Sequence, residues 1–179
     1  MVQAVARADE PLSSDYGIWN DYHVPEDRSQ WHPTVRRVYD YWVAIAPAGC
    51  LPGRSHISPA DLHPFLPRIF LVDVHRDPLR FRYRLVGTEV TWSRRKDPTG
   101  QWLDEANPYD LNLLLDRFRY MADTGRPTWR RGHSVWDRDP LHRIVENCLM
   151  PLAKDGRTVD MILGVSIVFD ATGREIRTP

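Results

Sequence analysis

The sequence predicts an α+β fold: a five-stranded antiparallel sheet with helices on one face, preceded by a helical extension at the N-terminus. Two observations predict it. Alternating apolar and polar residues mark strands in two groups, first a pair and then a set of three. Apolar residues at helical spacing occur before the first group and again between the two groups. Because a sheet with one apolar face needs a covering layer, we expect the intervening helices to pack on that face.

The N-terminal region is predicted to be an arm followed by helices. Residues 1–32 are polar and irregular, with scattered aromatic rings, and are interpreted as the arm. Pro33 suits the first turn of a helix. An apolar stripe follows at intervals of three and four residues, formed by Val35, Val38, Tyr39, Trp42 and Ile45. Ser58-Pro59-Ala60-Asp61 has the form of a second helix start, with a serine cap and a proline at the first position. Residues 33–68 are therefore expected to form a helical N-terminal extension.

Residues 69–170 are expected to form the core, beginning with a hairpin. Ile69–His75 is apolar and rich in β-branched residues, which favours a strand. Arg80–Val86 alternates Phe81, Tyr83 and Leu85 with arginines, which predicts a strand with one buried face. Asp77-Pro78 supplies the turn between them.

A helical middle and three further strands complete the predicted core. Short helical turns are expected over residues 87–105. A longer helix follows, with an apolar stripe that ends before Gly125; the stripe consists of Leu111, Leu114, Leu115, Phe118 and Met121 or Ala122. Strands are then predicted over residues 127–136, 142–152 and 158–169, and Asp155-Gly156 forms a tight turn between the last two. Residues 171–179 are interpreted as a frayed C-terminal tail.

Composition argues against several classes of protein. The 179 residues carry 24 basic and 24 acidic side chains, so there is no basic excess to neutralise phosphates and no nucleic-acid partner is expected. The longest apolar run, Met161–Phe169, is far shorter than the ~20 residues that a membrane span needs, so no membrane partner is expected. Cys50 and Cys148 are too few for a disulfide framework, and free thiols suit a cytoplasmic location.

A series of short motifs runs in order through residues 41–169. It comprises Tyr41-Trp42, Leu51-Pro52-Gly53-Arg54, Ser58-Pro59-Ala60-Asp61, residues 66–74, residues 81–88, Asp97-Pro98-Thr99-Gly100, Pro151-Leu152 and Asp155-Gly156. In this order the motifs resemble those of a PAS domain. They are similar in particular to a family of bacterial PAS proteins, often stand-alone, that was once catalogued as a domain of unknown function.

The resemblance implies a five-stranded sheet that cups a small-molecule pocket against helices, and a role in sensing or protein–protein interaction instead of catalysis. It also implies dimerisation through a helix before the first strand. The stripe from Val35 to Ile45 is well placed for a homodimer, and packing on the domain's own sheet is the equal alternative. We therefore expect a sensory or adaptor domain that binds a small molecule, a partner protein or both. The alternatives are a ligand-free interaction module and a small enzyme using Glu146, His133 or Asp73.

Candidate pocket residues are the inward side chains of the sheet and the aromatic residues of the helical middle. They are Tyr83, Trp92, Trp102, Tyr120, Trp129, His133, Trp136 and Glu146. The third strand leaves two alternatives open, because either Trp129, Arg131, His133 and Val135 or Arg130, Gly132, Ser134 and Trp136 face inward. Plain core packing is the alternative for each aromatic residue. Glu146 lies in an apolar stretch, where a carboxylate would pair with an arginine or have a raised pKa.

The sequence requires no cofactor. His133 or His142 could in principle serve haem as an axial ligand, but there is no attachment signature. A flavin photosensor would need a reactive cysteine in the helical middle, whereas Cys148 falls in a predicted strand. The histidines lack metal-ligand spacing, so no metal site is expected. Gly87 and Gly100 each end a segment at a turn, where we expect a Cβ to clash.

Overall fold

The computed structural model describes residues 24–107, 111–134 and 144–177. Five helices lie among these residues: α1 (Pro33–Ala44), α2 (Pro59–Leu62), α3 (Thr88–Arg94), α4 (Leu103–Ala106) and α5 (Leu111–Thr124). The five strands are β1 (Ile69–His75), β2 (Arg80–Val86), β3 (Thr128–His133), β4 (Ile144–Leu152) and β5 (Met161–Phe169). Short 3₁₀ turns cover Arg54–His56 and His63–Arg68. All strand pairs are antiparallel and the order across the sheet is β2-β1-β5-β4-β3, which confirms the predicted five-stranded sheet.

Helix α1 forms where the sequence predicts it, and its apolar stripe packs on the domain's own sheet. Thr34 donates its backbone N–H to Nδ1 of His32, which caps the helix (3.2 Å). Val35, Val38 and Trp42 are buried against β4 and β5, and the Trp42 Nε1 donates to the carbonyl of Pro151 (2.9 Å). Tyr39 and Ile45 are partly buried in the same cluster. The stripe proposed for a dimer interface is therefore occupied within one chain.

The sheet is covered on both faces, because α1 lies on one face while α3 and α5 lie on the other. Each face has its own apolar cluster: Leu71, Cys148 and Val165 belong to the α1 side, and Phe70, Val72 and Leu149 to the side of α3 and α5. As predicted, the helices α3 and α5 of the middle segment lie on one face of the sheet. The N-terminal extension adds a second layer, α1, on the other face. Strand β5 is buried along its whole length because side chains on both of its faces are covered.

Strand β2 departs from the predicted alternation at its last residues. Phe81 and Tyr83 are buried on the α5 side, as expected. A bulge in the pairing of β1 with β2 then puts Val72 opposite Tyr83 and Leu71 opposite Leu85. Arg84 is the extra residue, so Leu85 shares the α1 face with Leu71 and is exposed. The expectation that Leu85 points the same way as Phe81 and Tyr83 is wrong for this reason.

The remaining predicted elements differ from the structure mainly at their ends. The last strand begins at Met161 instead of residue 158, because Asp155 accepts the backbone N–H groups of Arg157 and Thr158 and holds them in the turn. Part of the predicted frayed tail lies against β5, because the N–H of Ile176 donates to the carbonyl of Val168 (2.8 Å). Predictions for residues 1–23, 108–110, 135–143 and 178–179 fall outside the described residues.

The sequence predicts that a Cβ would clash at Gly87 and at Gly100, and the structure confirms the clash only at Gly87. A Cβ on Gly87 would lie 2.3 Å from the carbonyl oxygen of Leu66, so a close backbone approach requires glycine there. Gly100 has no atom within 4 Å of that position, which makes the predicted clash wrong. Its φ of +81° is the feature that favours glycine at this site. No helix in the described part of the chain is long and apolar enough to cross a membrane.

Candidate functional site

A small cavity lies between the sheet and the helices α3 and α5. Its volume is about 30 Å³, which is room for about two water molecules. One part of its wall is apolar and draws on β1, α3, α5 and β4, through Phe70, Val90, Leu114, Phe118 and Leu149. The cavity is thus shaped by the inner face of the sheet together with both helices.

The other part of the wall is polar and centres on two buried arginines. Arg117 of α5 is 3% exposed and Arg130 of β3 is 2% exposed. Arg117 donates from Nε to Thr128 Oγ1 (2.7 Å), from Nη2 to the Thr128 carbonyl (3.1 Å) and from Nη1 to Asn147 Oδ1 (2.5 Å). Arg130 donates from Nη2 to the carbonyl of His133. These bonds fix α5 to β3 and β4 at the cavity.

A third arginine reaches the cavity from the end of α3. Arg94 donates from Nη2 to Asn107 Oδ1 (2.8 Å) and to the carbonyl of Ala106 (3.2 Å). Asn107 is fully buried and donates to the carbonyl of Leu103 (2.7 Å), within the turn that ends α4. The Arg94 guanidinium also lies 5.5 Å from the centroid of the Tyr83 ring, a cation–π contact. The end of α3, the end of α4 and β2 therefore meet at one polar junction.

A second buried polar cluster lies on the opposite face of the sheet, under α1. Glu146 of β4 is 0% exposed, and its Oε1 accepts the backbone N–H of His32 (2.7 Å) and Nε1 of Trp129 (3.2 Å). Its Oε2 lies 3.6 Å from Nη1 of Arg131. Burial raises the pKa of Glu146, and the contacts with His32, Trp129 and Arg131 only partly offset that effect. The Trp129 ring stacks on the Trp31 ring, with 5.4 Å between their centroids. Because Glu146 accepts from both His32 and Trp129, it ties the start of α1 to the sheet.

Residues 30–94 match the sequence profile of the PAS domain family, a stretch that begins before α1 and ends with α3. The five-stranded antiparallel sheet agrees with that fold. The chain carries a PAS domain. The match spans roughly a third of the chain, and β3, β4 and β5 of the sheet lie beyond it. No curated protein shows a significant match to the chain.

Within the PAS domain, the predicted pocket residues fall in different places. Tyr83 lines the cavity, and Tyr120 of α5 is half-buried against the cluster on the cavity side. Trp92 is exposed in a shallow groove on α3 and does not reach the cavity. Trp102 lies at the edge of β2, where the Arg80 guanidinium covers it at 4.2 Å from its centroid. Trp136 lies outside the described residues.

Of the two alternative sets on the third strand, the second contributes Arg130 to the cavity. Arg130 lines the cavity, whereas Trp129 faces α1 together with Glu146. Trp129 and Glu146, both predicted as pocket residues, therefore do not line this cavity and belong to the polar cluster under α1. His133 is half-buried at the end of β3 and is not among the described residues that line the cavity.

Three polar lining residues of the cavity were missed by sequence reasoning: Arg94, Arg117 and Asn147. The five apolar lining residues were not named as pocket residues either. A signal existed for Arg117, since it follows Leu114 by three residues and precedes Phe118 within the apolar stripe of α5. Arg94 and Asn147 carry no such signal. From sequence alone, an arginine near a helix end and an asparagine in a strand are expected to face solvent. That expectation changes only once helices are known to cover both faces of the sheet.

The cavity is lined by five apolar residues, three arginines, an asparagine and a tyrosine. Its described lining residues include no carboxylate, histidine, cysteine or serine. Cys148 faces α1, and burial raises the pKa of its thiol, which keeps it protonated. No group of three metal-ligating side chains occurs in the described ranges. Asp73 of β1 pairs with Arg84 (2.7 Å) and is separated from Glu146 by the intervening β5, so these two of the residues named for a small enzyme do not share a site.

Proposed function

We propose that this PAS protein is a sensory or adaptor module without a catalytic step of its own. It binds a small molecule in the cavity between the sheet and α3 and α5, and passes the occupancy of that cavity to a partner protein. The observation that carries the proposal is the cavity itself, which combines an apolar wall with arginine and asparagine side chains held by hydrogen bonds. A concave, mostly apolar site with a few fixed polar groups is typical of ligand pockets.

The test is native mass spectrometry of the purified protein, compared with a variant that fills the cavity. Leu114 is half-buried on α5 and lines the cavity, so Leu114→Phe places a larger ring in about 30 Å³ of space. We expect the wild type to retain a small molecule that the variant lacks. Leu115→Phe is the matched control, because Leu115 is the next residue of α5 and is not among the described lining residues. A molecule retained equally by all three proteins would contradict binding in the cavity.

A ligand-free interaction module is the second candidate, and the small size of the cavity favours it. The ring of Phe70 lies over Gly164 and already fills much of the inner face of the sheet. Repeated preparations without a bound molecule, together with a ligand-screening melt that finds no stabilising compound, would support this candidate over the first.

Self-association and a cytoplasmic location are also part of the proposal. Since the apolar stripe of α1 is buried within one chain, a homodimer would use the exposed side of α1, which carries Arg36, Asp40 and Val43. Light scattering at the monomer mass over a wide concentration range would overturn the dimer. Two free cysteines, Cys50 and Cys148, support the cytoplasm. Fractionation of cells that express the protein tests the location.

A further inference from the structure

We propose that His32 is a pH-operated cap at the start of α1. Its neutral imidazole caps the helix, whereas its protonated form gives up that cap and binds Glu175 in the tail segment, residues 170–177. This inference goes beyond the proposed function, because it does not involve the cavity. It concerns the place where the start of α1, the turn over His63–Arg68 and the tail segment meet.

The ring of His32 makes a contact through each of its two nitrogens. Nδ1 accepts the backbone N–H of Thr34 (3.2 Å), and Nε2 lies 3.6 Å from Oε2 of Glu175. The backbone N–H of His32 donates to Oε1 of Glu146 (2.7 Å), which fixes the main chain beneath the ring. The side chain is 17% exposed and packs edge-on against the ring of Phe169. The ring is therefore held in one orientation between α1 and the tail segment.

The hydrogen bond from Thr34 determines which protonation state of the ring fits the structure. An imidazole nitrogen accepts a hydrogen bond only when it carries no proton, and a protonated imidazole donates from both nitrogens. In the capped helix Nδ1 is therefore bare, and the proton of the neutral ring is on Nε2, facing Glu175. Protonation would place a hydrogen on Nδ1 against the N–H of Thr34. The cap and the charged ring thus exclude each other.

Charged side chains from several elements surround the ring and act on it in opposite directions. The carboxylate of Glu175 favours the charged form of the ring, whereas Arg68 and Arg177 disfavour it. Arg68 also pairs with Glu175 (2.6 Å) and with Glu89 of α3 (2.7 Å), so two carboxylates share its charge. The other charged groups next to His32 in the described part of the chain are paired among themselves: Glu146 with Arg131, and Arg36 with Asp40.

Burial decides the direction in which the switch works. Loss of solvent lowers the pKa of His32, and the attraction of Glu175 only partly offsets that effect. The fold therefore favours the neutral ring that caps α1. The stability that this ring contributes is fully present above the ordinary pKa of 6.5 and is lost as pH falls through the lowered pKa. The helix is capped at neutral pH and loses its cap in acid.

The two contacts of the ring are expected to respond differently to acid. The N–H of Thr34 loses its acceptor, so the first turn of α1 opens more often. The N–H of Ile176, which donates to the carbonyl of Val168 (2.8 Å), should stay protected, because the charged ring attracts the neighbouring Glu175 more strongly. A loss of order at α1 without release of the tail segment is the signature of this switch.

The primary test is amide hydrogen exchange of the full chain, followed by NMR at about pH 8 and about pH 5, on either side of the ordinary histidine pKa. Protection factors remove the intrinsic pH dependence of exchange. In the wild type we expect the protection of Thr34 to fall about fivefold in acid, the usual effect of removing a cap, and that of Ile176 to persist. In His32→Asn both should persist, since asparagine caps helices and does not titrate.

Thermal melts give a second readout. The Tm of the wild type minus that of His32→Asn should fall by about 2–4 °C between about pH 8 and about pH 5. His63→Asn is the matched control, because His63 is an exposed histidine, and its Tm difference from the wild type should not change with pH. Glu175→Gln removes the carboxylate that faces Nε2, so the pKa of His32, followed by NMR of the ring, should fall further.

Three results would overturn the proposal. One is a loss of Thr34 protection in acid that is as large in His32→Asn as in the wild type, because the cap would then not depend on histidine. Another is titration of the His32 ring while the protection of Thr34 stays constant. The third is an equal loss of protection at Ile176 and Thr34, because the charged ring would then not hold the tail segment through Glu175.

Discussion

Replacing Gly87 with alanine is expected to destabilise the fold by about 3 kcal/mol, and valine should cost more. Gly87 lies between β2 and α3, with an ordinary φ of −66°, so backbone strain is not the reason. The space is the reason: an added Cβ would lie 2.3 Å from the carbonyl oxygen of Leu66, 2.4 Å from that of Pro67 and 2.6 Å from the carbonyl carbon of Pro67. All three neighbours are backbone atoms, which cannot rotate away as a side chain would.

The magnitude follows from how firmly those atoms are held. Real Cβ contacts do not fall below 3.0 Å, so the turn over His63–Arg68 must move away from α3. That movement strains the bond in which the N–H of Gly87 donates to the carbonyl of Ile69 (2.8 Å). Overpacking of one methyl group costs about 1–3 kcal/mol, and a rigid backbone puts this site at the upper end. For a domain of this size, about 3 kcal/mol lowers Tm by about 6–12 °C.

Urea unfolding followed by tryptophan fluorescence measures the effect, with the slope m expected to stay unchanged. Gly100→Ala is the control, because its Cβ meets no atom within 4 Å and its φ of +81° is its only cost, about 1 kcal/mol. The close-approach argument is refuted if Gly87→Ala loses no more stability than Gly100→Ala.

Three further predictions test the α1 side of the sheet. Burial raises the pKa of Glu146 above its ordinary value of 4.5, so its contribution to stability is fully present below that value and is lost as pH rises through the raised pKa. The urea-derived free energy of unfolding of wild type minus that of Glu146→Gln should therefore fall as pH rises, and a difference independent of pH would contradict the raised pKa. Trp42→Phe removes the hydrogen bond to the Pro151 carbonyl and should cost about 1–2 kcal/mol in the same assay, whereas an unchanged midpoint would contradict it. A thiol reagent should modify Cys50 in the native protein and Cys148 only after unfolding, and rapid modification of both would show that the α1 layer opens readily.

Local patterns were sufficient for the order and type of most elements. The stripe of α5 and the proline-led start of α1 appear where spacing and capping chemistry place them. The strands β1, β2 and β5 also follow directly from apolar and alternating runs, because those patterns depend on residues that are neighbours in sequence.

The bulge in β2 could not be predicted from the alternation that identified the strand. Alternation assumes one residue per pairing step, and Arg84 breaks that count by inserting an extra residue opposite β1. Only the pairing of β2 with β1 shows the extra residue. Its consequence is local, since Leu85 changes face while Phe81 and Tyr83 keep theirs.

The candidate site was harder to predict because the sheet has two covered faces. On a sheet with one exposed face, the tryptophan of β3 would point inward and its arginine outward, since burying an arginine is costly. Here α1 covers the face of Trp129 and α5 covers the face of Arg130, so both residues are buried. The hydrophobicity of these two residues therefore does not indicate which face of the sheet borders the cavity.

The two faces differ in their polar side chains: the carboxylate of Glu146 anchors the side of α1, and arginine side chains line the side of α5. The strand β4 presents the two chemistries at adjacent residues, Glu146 toward α1 and Asn147 toward the cavity, because successive side chains of a strand point to opposite faces.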